Sequence, residues 1–261
     1  MGQGQDILVA KIGGSTLGSH DTTLADLAAL QRRGLRPVVV HGGGPLISEW
    51  LSRHNVPTRF ERGLRVTDAE SLEVVVAVLA GLVNKQLVAS LSALGAAAVG
   101  LSGADGGMLQ CRLADEDIGF VGEIVAVDAG PLVRVLLAGA IPVIAPVGLL
   151  FDDDKASSQL LNINADSAAG AVAEALGARC LVFLTDVPGV RSAAGETLTD
   201  LGGGEAARLV ESGVIEGGMI PKVEACLSAA RSGCRSVIAD GRLEHALLSV
   251  IEGEAVGTVV G

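Results

Sequence analysis

Short β-branched apolar runs that end in glycine, each followed by a helical stripe, restrict this chain more than any other feature. Residues 7–12 are apolar apart from Lys11 and run into Gly13 and Gly14, as a strand buried on both faces does. Residues 22–33 then set Leu24, Leu27 and Leu30 on one stripe before Gly34, and Val38, Val39 and Val40 lead into three further glycines. The rhythm returns over 141–147, 166–176 and 181–184. It returns again with helices over 205–212 and 222–232, a strand over 236–239 and a helix over 243–251. Such alternation calls for a parallel sheet with helices on both faces.

Two stretches break the rhythm. Residues 57–66 and 108–127 alternate with turn residues and read as antiparallel hairpins projecting from the sheet. Between them, Thr67-Asp68-Ala69-Glu70 reads as a capping box with Thr67 as N-cap. The run 74–83 that follows is apolar all the way round, so its helix needs cover on every side. No repeat, low-complexity tract or flexible linker is present. The expected division is an N-terminal lobe over 1–175 and a C-terminal lobe over 176–261 that share one sheet.

Composition removes whole classes of function. Of 261 residues, 49% are apolar and 19% charged, which supplies a core and excludes a disordered chain. Nineteen basic against thirty acidic residues give a net charge of −11, a field that repels nucleic acid and anionic membranes. One Trp and no Tyr leave no stacking platform for single strands. A cleft can still hold a small anion on a few lysines and local dipoles. The four cysteines are scattered without a CxxC pair, as reduced thiols in a cytoplasmic protein are. Residues 1–6 lack the basic and apolar regions of a signal peptide. Residues 135–151 are interrupted by Pro142 and Pro146, and 86–104 are diluted by serines and glycines, so neither reads as a membrane span.

Several motifs carry chemistry. Lys11-Ile12-Gly13-Gly14-Ser15-Thr16 puts a lysine at the carboxyl end of the first strand, where open parallel sheets bind ligands, and glycine lets backbone amides approach an anion. It could equally be a plain strand-ending turn with a solvated lysine. His41-Gly42-Gly43-Gly44-Pro45 joins the second strand to a helix N-terminus and forms an anion nest backed by the helix dipole; His41 reads as a structural strand-end residue and not a base. Arg65 closes a hairpin, where it either clamps a carboxylate or lies in solvent. Asn162, Asn164 and Asp166 alternate ahead of an apolar helix, and N-capping accounts for only one of the three. Lys222 falls in the first turn of a helix, against the dipole, which favours a bound anion nearby. No Walker, Rossmann or protein-kinase signature is present.

Together the ordered segments KIGGS, VVVHGGGP, GLRVTD, LNINAD, LTDVPGV, GGMIPK and VGTVV resemble the amino acid kinase family over essentially the whole chain. The resemblance implies a three-layer α/β/α sandwich on a mainly parallel, eight-stranded sheet. It also implies ATP-dependent phosphorylation of the γ-carboxylate of N-acetyl-L-glutamate, a step of arginine biosynthesis. Lys11 and Lys222 match the lysines that stabilise the transferring group, and Asp166 the aspartate that orients them. Gly43 and Gly44 match the loop amides, while Arg65 and Asn162 match the residues that hold the acylated amino acid. Gly13, Asp186, Val187, Pro188, Gly189, Val190, Arg191, Val214, Ile215 and Glu216 match positions around ATP; Pro188 and Pro221 depart mildly from the usual pattern. A carboxylate acceptor is already ionised at neutral pH, so no general base is required. No carboxylate cluster is evident for a metal, and Mg²⁺ is expected to ride on the ATP phosphates.

Two other readings compete. A related kinase acting on carrier-protein-linked aminoadipate or glutamate would share the scaffold. A non-catalytic ligand-binding protein would lack one of Lys11, Asp166 and Lys222, and all three are present. The all-round apolar helix implies a homodimer. The few residues ahead of the first strand leave no room for the extra helix carried by arginine-inhibited hexamers of the family, so no arginine feedback is expected.

Overall fold

Alternation of the apolar runs is realised as one sheet between two helical layers. The computed structural model describes residues 6–13, 22–61, 63–152 and 155–261. Gly14, Ser15 and Thr16 of the first glycine motif, and residues 1–5, on which the expectations about a signal peptide and a leading helix rest, lie outside them. The first half of the chain contains β1 (Ile7–Ile12), α1 (Thr23–Arg32), β2 (Arg36–His41), α2 (Gly44–Arg53), β3 (Phe60–Glu61), β4 (Leu64–Arg65), α3 (Ala69–Val76), α4 (Asn84–Ala93) and β5 (Ala98–Ser102). Then come β6 (Leu109–Leu113), β7 (Val121–Val127), α5 (Gly130–Leu137), β8 (Ile141–Ala145), β9 (Val147–Asp152), β10 (Lys155–Ile163) and α6 (Ala165–Ala175). The last third holds β11 (Cys180–Thr185), β12 (Asp200–Leu201), α7 (Gly203–Glu211), α8 (Met219–Arg231), β13 (Arg235–Asp240), α9 (Ala246–Glu252) and β14 (Thr258–Val260).

Eight strands pair in the order β12-β14-β13-β11-β1-β2-β8-β5, and only the β13–β14 pair is antiparallel. Strands after residue 176 make up one half of this sheet, and β1, β2, β8 and β5 the other. Strand order therefore reverses between β1 and β11, and the crevice outside their carboxyl ends is where such a sheet binds ligands. Successive side chains leave opposite faces of each strand. Val9, Val38, Val40, Leu181 and Phe183 pack under α5, α6 and α8, while Leu8, Ala10, Val39, Val182 and Val237 pack under α1, α2, α4 and α9.

Three local expectations are revised. The helix N-cap is Asp68, which accepts from the Ser71 amide at 2.8 Å, and not Thr67. Thr67 is fully buried, pairs with Gly119 across a β-bridge and turns its Oγ1 to the Arg65 carbonyl, so tertiary pairing claims it first. The 108–127 hairpin does form as β6 and β7, but it does not project alone. It closes a four-stranded barrel with β9 and β10. The run read as one strand over 141–147 is broken at Pro146 and continues as β9, a division that hydrophobic period alone does not register.

A further revision concerns the apolar helix. α3 and α4 are continuous through a π-helical turn at Ala77–Val83. By length and hydropathy Ala69–Ala93 would also pass as a membrane span, unlike either stretch weighed above. Its Leu72, Val75, Val78, Leu79, Val83, Leu87 and Leu91 face the core, whereas Ala77, Gly81 and Ala89 are exposed. Cover is therefore one-sided within the chain.

His245 ties the two ends of one helical layer together. Its Nδ1 lies 2.6 Å from Oδ1 of buried Asp26 on α1, and its amide donates to Thr22 Oγ1 at 2.6 Å. The Asp26 carboxylate raises the imidazole pKa above its usual value. Because the folded value exceeds the unfolded one, the charged pair stabilises fully below about pH 6.5 and is lost as pH rises through the folded value. His245→Gln should therefore lower Tm at pH 5.5 and leave it near wild type at pH 8.5, measured by calorimetry at both values. A larger loss at the alkaline value would refute the pairing.

Candidate active site

Lys11 stands at the carboxyl end of β1, beside the reversal of strand order, and is 7% exposed. Its Nζ lies 2.8 Å from Oδ1 of Asp166. Asp166 is in the first turn of α6, where Asn164 is the N-cap and accepts from the Asp166 and Ser167 amides at 2.8 and 3.0 Å. That cap sets the direction of the Asp166 side chain, and a carboxylate suits the helix N-terminus. Its second oxygen accepts from Nζ of Lys222 at 2.8 Å, and Lys222 donates also to the Gly218 carbonyl at 3.1 Å. Lys222 lies in the first turn of α8, as its motif implied.

Three elements thus bring two ammonium groups onto one carboxylate. Burial holds the Lys11 pKa below the ordinary lysine range; Asp166 opposes that, Lys222 adds to it, and Asp186 also favours the charged form. Two cations against one anion leave excess positive charge in a partly desolvated place, which an incoming anion relieves.

A cleft of about 240 Å³ opens here, lined by Lys11, Asp166, Gly43, Gly44, Arg65 and Asn162. The sequence-read candidates for the acceptor are therefore neighbours in space. Gly43 is the N-cap of α2, and a Cβ there would lie 2.7 Å from Leu79 Cδ2. The Gly42 amide is used by the Ile12 carbonyl at 3.0 Å, whereas no acceptor among the described residues takes the Gly43 and Gly44 amides. Two N–H groups at a helix N-terminus are free for an anion.

Arg65 is likewise 7% exposed. Its Nη2 donates to the Gly44 carbonyl at 3.1 Å and to Ser48 Oγ at 2.8 Å, and its Cζ lies 4.7 Å from the Phe60 ring centroid. These partners are neutral, and burial lowers the guanidinium pKa from its usual value. A buried guanidinium without a carboxylate is a receptor for one. Asn162 on β10 donates to Thr67 Oγ1 at 3.0 Å, and Thr67 in turn donates to the Arg65 carbonyl at 2.8 Å. The barrel and the β3–β4 hairpin are thereby joined over the cleft.

Of the positions expected around ATP, none of 186–191 or 214–216 lines this cleft, although Asp186 is near enough to act on the Lys11 charge. Asp186, Pro188, Arg191 and Glu216 are exposed, Val187 and Val214 half-buried. Val190 and Ile215 are 1% and 2% exposed and belong to the core, so they offer a ligand only backbone. Gly189 packs against Thr258, whose Oγ1 accepts from the Val190 amide at 2.9 Å, which pins this loop to β14. Gly13 ends β1 with its amide 3.4 Å from the Leu184 carbonyl. Among the described residues no three His, Cys, Asp or Glu side chains converge as a metal site.

Reading the sequence missed Leu79, Ile47 and Phe60 on the cleft wall and Ser48 beside Arg65. Apolar wall residues look like any core residue in a sequence. Ser48 lies four residues after Gly44, one helical turn, and that spacing was the available signal.

The fold and site define an α/β enzyme whose cleft gathers lysine, arginine and glycine-loop amides, groups that favour an anion. The chain belongs to the amino acid kinase family, whose profile matches residues 6–240. It is 44% identical over 257 residues to an acetylglutamate kinase of Dehalococcoides mccartyi, covering 98% of this chain and 94% of that one. An acetylglutamate kinase of Gluconacetobacter diazotrophicus is 45% identical over 96% of this chain and 83% of its own. The crystal structure of smu.665 from Streptococcus mutans UA159 superposes with a TM-score of 0.83 at 30% identity, covering 98% of both chains.

Helix crossing sets the spacing of the charged trio. Gly170 lies one turn beyond Asp166 on α6, and a Cβ there would stand 2.9 Å from Ala225 Cβ, one turn beyond Lys222 on α8. Gly170→Ala should push the helices apart and lower kcat by about tenfold or more, since small misplacements of reacting groups are costly. Adding Ala225→Gly should restore it; steady-state assays of the single and double variants decide.

Proposed function

We propose that this chain transfers the γ-phosphoryl group of ATP to the γ-carboxylate of N-acetyl-L-glutamate, a step of arginine biosynthesis in the cytoplasm. One observation carries the reading: Lys11 and Asp166, which also holds Lys222, line the same small cleft as a buried Arg65 that has no carboxylate partner among the described residues. The relatives named acetylglutamate kinase, similar along nearly their whole length, support that choice over a carrier-linked acceptor.

In this reading Arg65 takes the α-carboxylate and Asn162 the acylated amine, which leaves the γ-carboxylate near Gly43 and Gly44. The acceptor is ionised at neutral pH, so no side chain need take its proton. Lys11 and Lys222 then balance the charge that spreads over the oxygens of the transferring group, and Asp166 holds both ammonium groups in place beforehand. Nucleotide is held by Gly13, by Asp186, Val187, Pro188, Gly189, Val190 and Arg191, and by Val214, Ile215 and Glu216. Mg²⁺ bound with ATP would neutralise part of the charge on its phosphates. Lobe 1–175 serves the acyl amino acid and assembly, and lobe 176–261 the nucleotide.

A homodimer completes the picture. The outward face of Ala69–Ala93 shows exposed Ala77, Gly81 and Ala89 beside half-buried Val74, Val76 and Leu82, with exposed Glu73 and Lys85 on the same row, a surface that a symmetric copy of itself can cover. Light scattering should give twice the protomer mass; a monomer or a hexamer would refute this.

ATP turnover measured with N-acetylglutamate, glutamate, aspartate and UMP as acceptors tests the activity, and only the first should react efficiently. Lys11→Ala or Lys222→Ala should lower kcat by about 10²–10³-fold with folding retained by circular dichroism. A kcat within a few-fold of wild type would overturn the assignment. Arg65→Lys should raise KM for the acylated acceptor and leave KM for ATP nearly unchanged, because an ammonium cannot reproduce a two-pronged clamp.

A further inference from the structure

His41 closes β2 immediately before the glycine loop and is wholly buried. It lines neither the cleft nor the neighbouring cavity beside Pro45 and Gln86. Its Nδ1 lies 3.0 Å from the Gly42 carbonyl oxygen and its Nε2 lies 3.2 Å from Nδ2 of Asn84. A carbonyl can only accept, so Nδ1 carries the proton. The Asn84 amide nitrogen can only donate, so Nε2 is bare. The Asn84 orientation is itself fixed, because the same nitrogen faces the Val143 carbonyl at 2.8 Å and the Leu101 carbonyl at 3.3 Å; one of its two hydrogens serves Val143 and the other is shared between the Leu101 carbonyl and His41 Nε2. Its oxygen accepts from Lys85 Nζ at 3.1 Å. Burial drives the imidazole pKa down to about 4, so the ring stays neutral throughout the working range.

In a trans peptide the C=O and the following N–H point in opposite directions. With the Gly42 carbonyl drawn inward to His41, the Gly43 N–H must face outward, away from the core and toward the cleft that Gly43 lines. Gly43 has no side chain to hold that plane, and its N–H has no acceptor among the described residues. We infer that His41 is a positioning residue: as a neutral Nδ1–H tautomer set by Asn84, it locks the Gly42–Gly43 peptide so that the Gly43 amide is aimed at the anion in the cleft. This rests on the phosphotransferase reading above. Loss of the lock should weaken stabilisation of the reacting oxygens while leaving the binding of ATP elsewhere untouched.

Two substitutions separate positioning from packing. His41→Asn keeps an N–H near the Nδ1 position, and His41→Gln keeps an acceptor near the Nε2 position but loses the donor to Gly42. His41→Gln should lower kcat by about tenfold or more, as loss of an aimed amide donor does, with KM for ATP within a few-fold of wild type. His41→Asn should retain kcat within a few-fold. Equal losses in both, no loss in either, or the larger loss in His41→Asn overturns the inference. If neither variant folds, ¹⁵N spectra of the histidines in the unaltered protein decide. A neutral Nδ1–H form for His41 at pH 7 supports the lock, and an Nε2–H form or an imidazolium refutes it. Should the unaltered protein fail to phosphorylate N-acetylglutamate, the functional reading falls, whereas the tautomer still tests the geometry by itself.

Discussion

Everything at the site depends on one carboxylate holding two ammonium groups. Asp166 has β1 on one side and α8 on the other, and its oxygens set the distance between Lys11 and Lys222. Without it the two lysines, partly stripped of water, would repel each other across the crevice. The carboxylate is in turn held by Asn164 at the helix N-terminus, and the helix is held by its close crossing with α8 at Gly170. A chain of local requirements thus ends in a geometry that no single motif contains.

Charge balance explains the division of labour in the cleft. The trio retains excess positive charge, and among the described residues Arg65 has only neutral partners and two amides at the α2 N-terminus lack an acceptor. All three features favour anions, although the chain as a whole carries a net charge of −11. Local dipoles and a few desolvated cations dominate at short range, and net charge governs only the far field. Apolar walls formed by Ile47, Leu79 and Ile163 strengthen those interactions by keeping water away.

Tertiary pairing overrode local signals where the two conflicted. Thr67 has the sequence surroundings of an N-cap, yet its backbone bonds to Ile118 and Phe120 take precedence, so the helix begins after Asp68. The π-helical turn at Ala77–Val83 has no marker in a run of valines, leucines and alanines, yet it carries Leu79 onto Gly43 and seals one side of the glycine loop. His41 seemed a mere strand end because its role depends on a partner, Asn84, that lies 43 residues away.

Sequence alone determined the alternating layers, the lysine and glycine motifs at the strand ends and the polar triplet ahead of α6, because period, capping and glycine chemistry act within a few residues. The continuous sheet was legible in that way; Lys11, Asp166, Lys222, Gly43, Gly44, Arg65 and Asn162 stood out at element ends, but their gathering into one site came from the family resemblance. Tertiary structure supplied the distances at which Lys11 and Lys222, 211 residues apart, meet on Asp166, and it alone decided that β9 and β10 close a barrel with the 108–127 hairpin and that Val190 and Ile215 face the core. The reason is that ion pairing, strand closure and burial depend on distances between segments that no local pattern encodes.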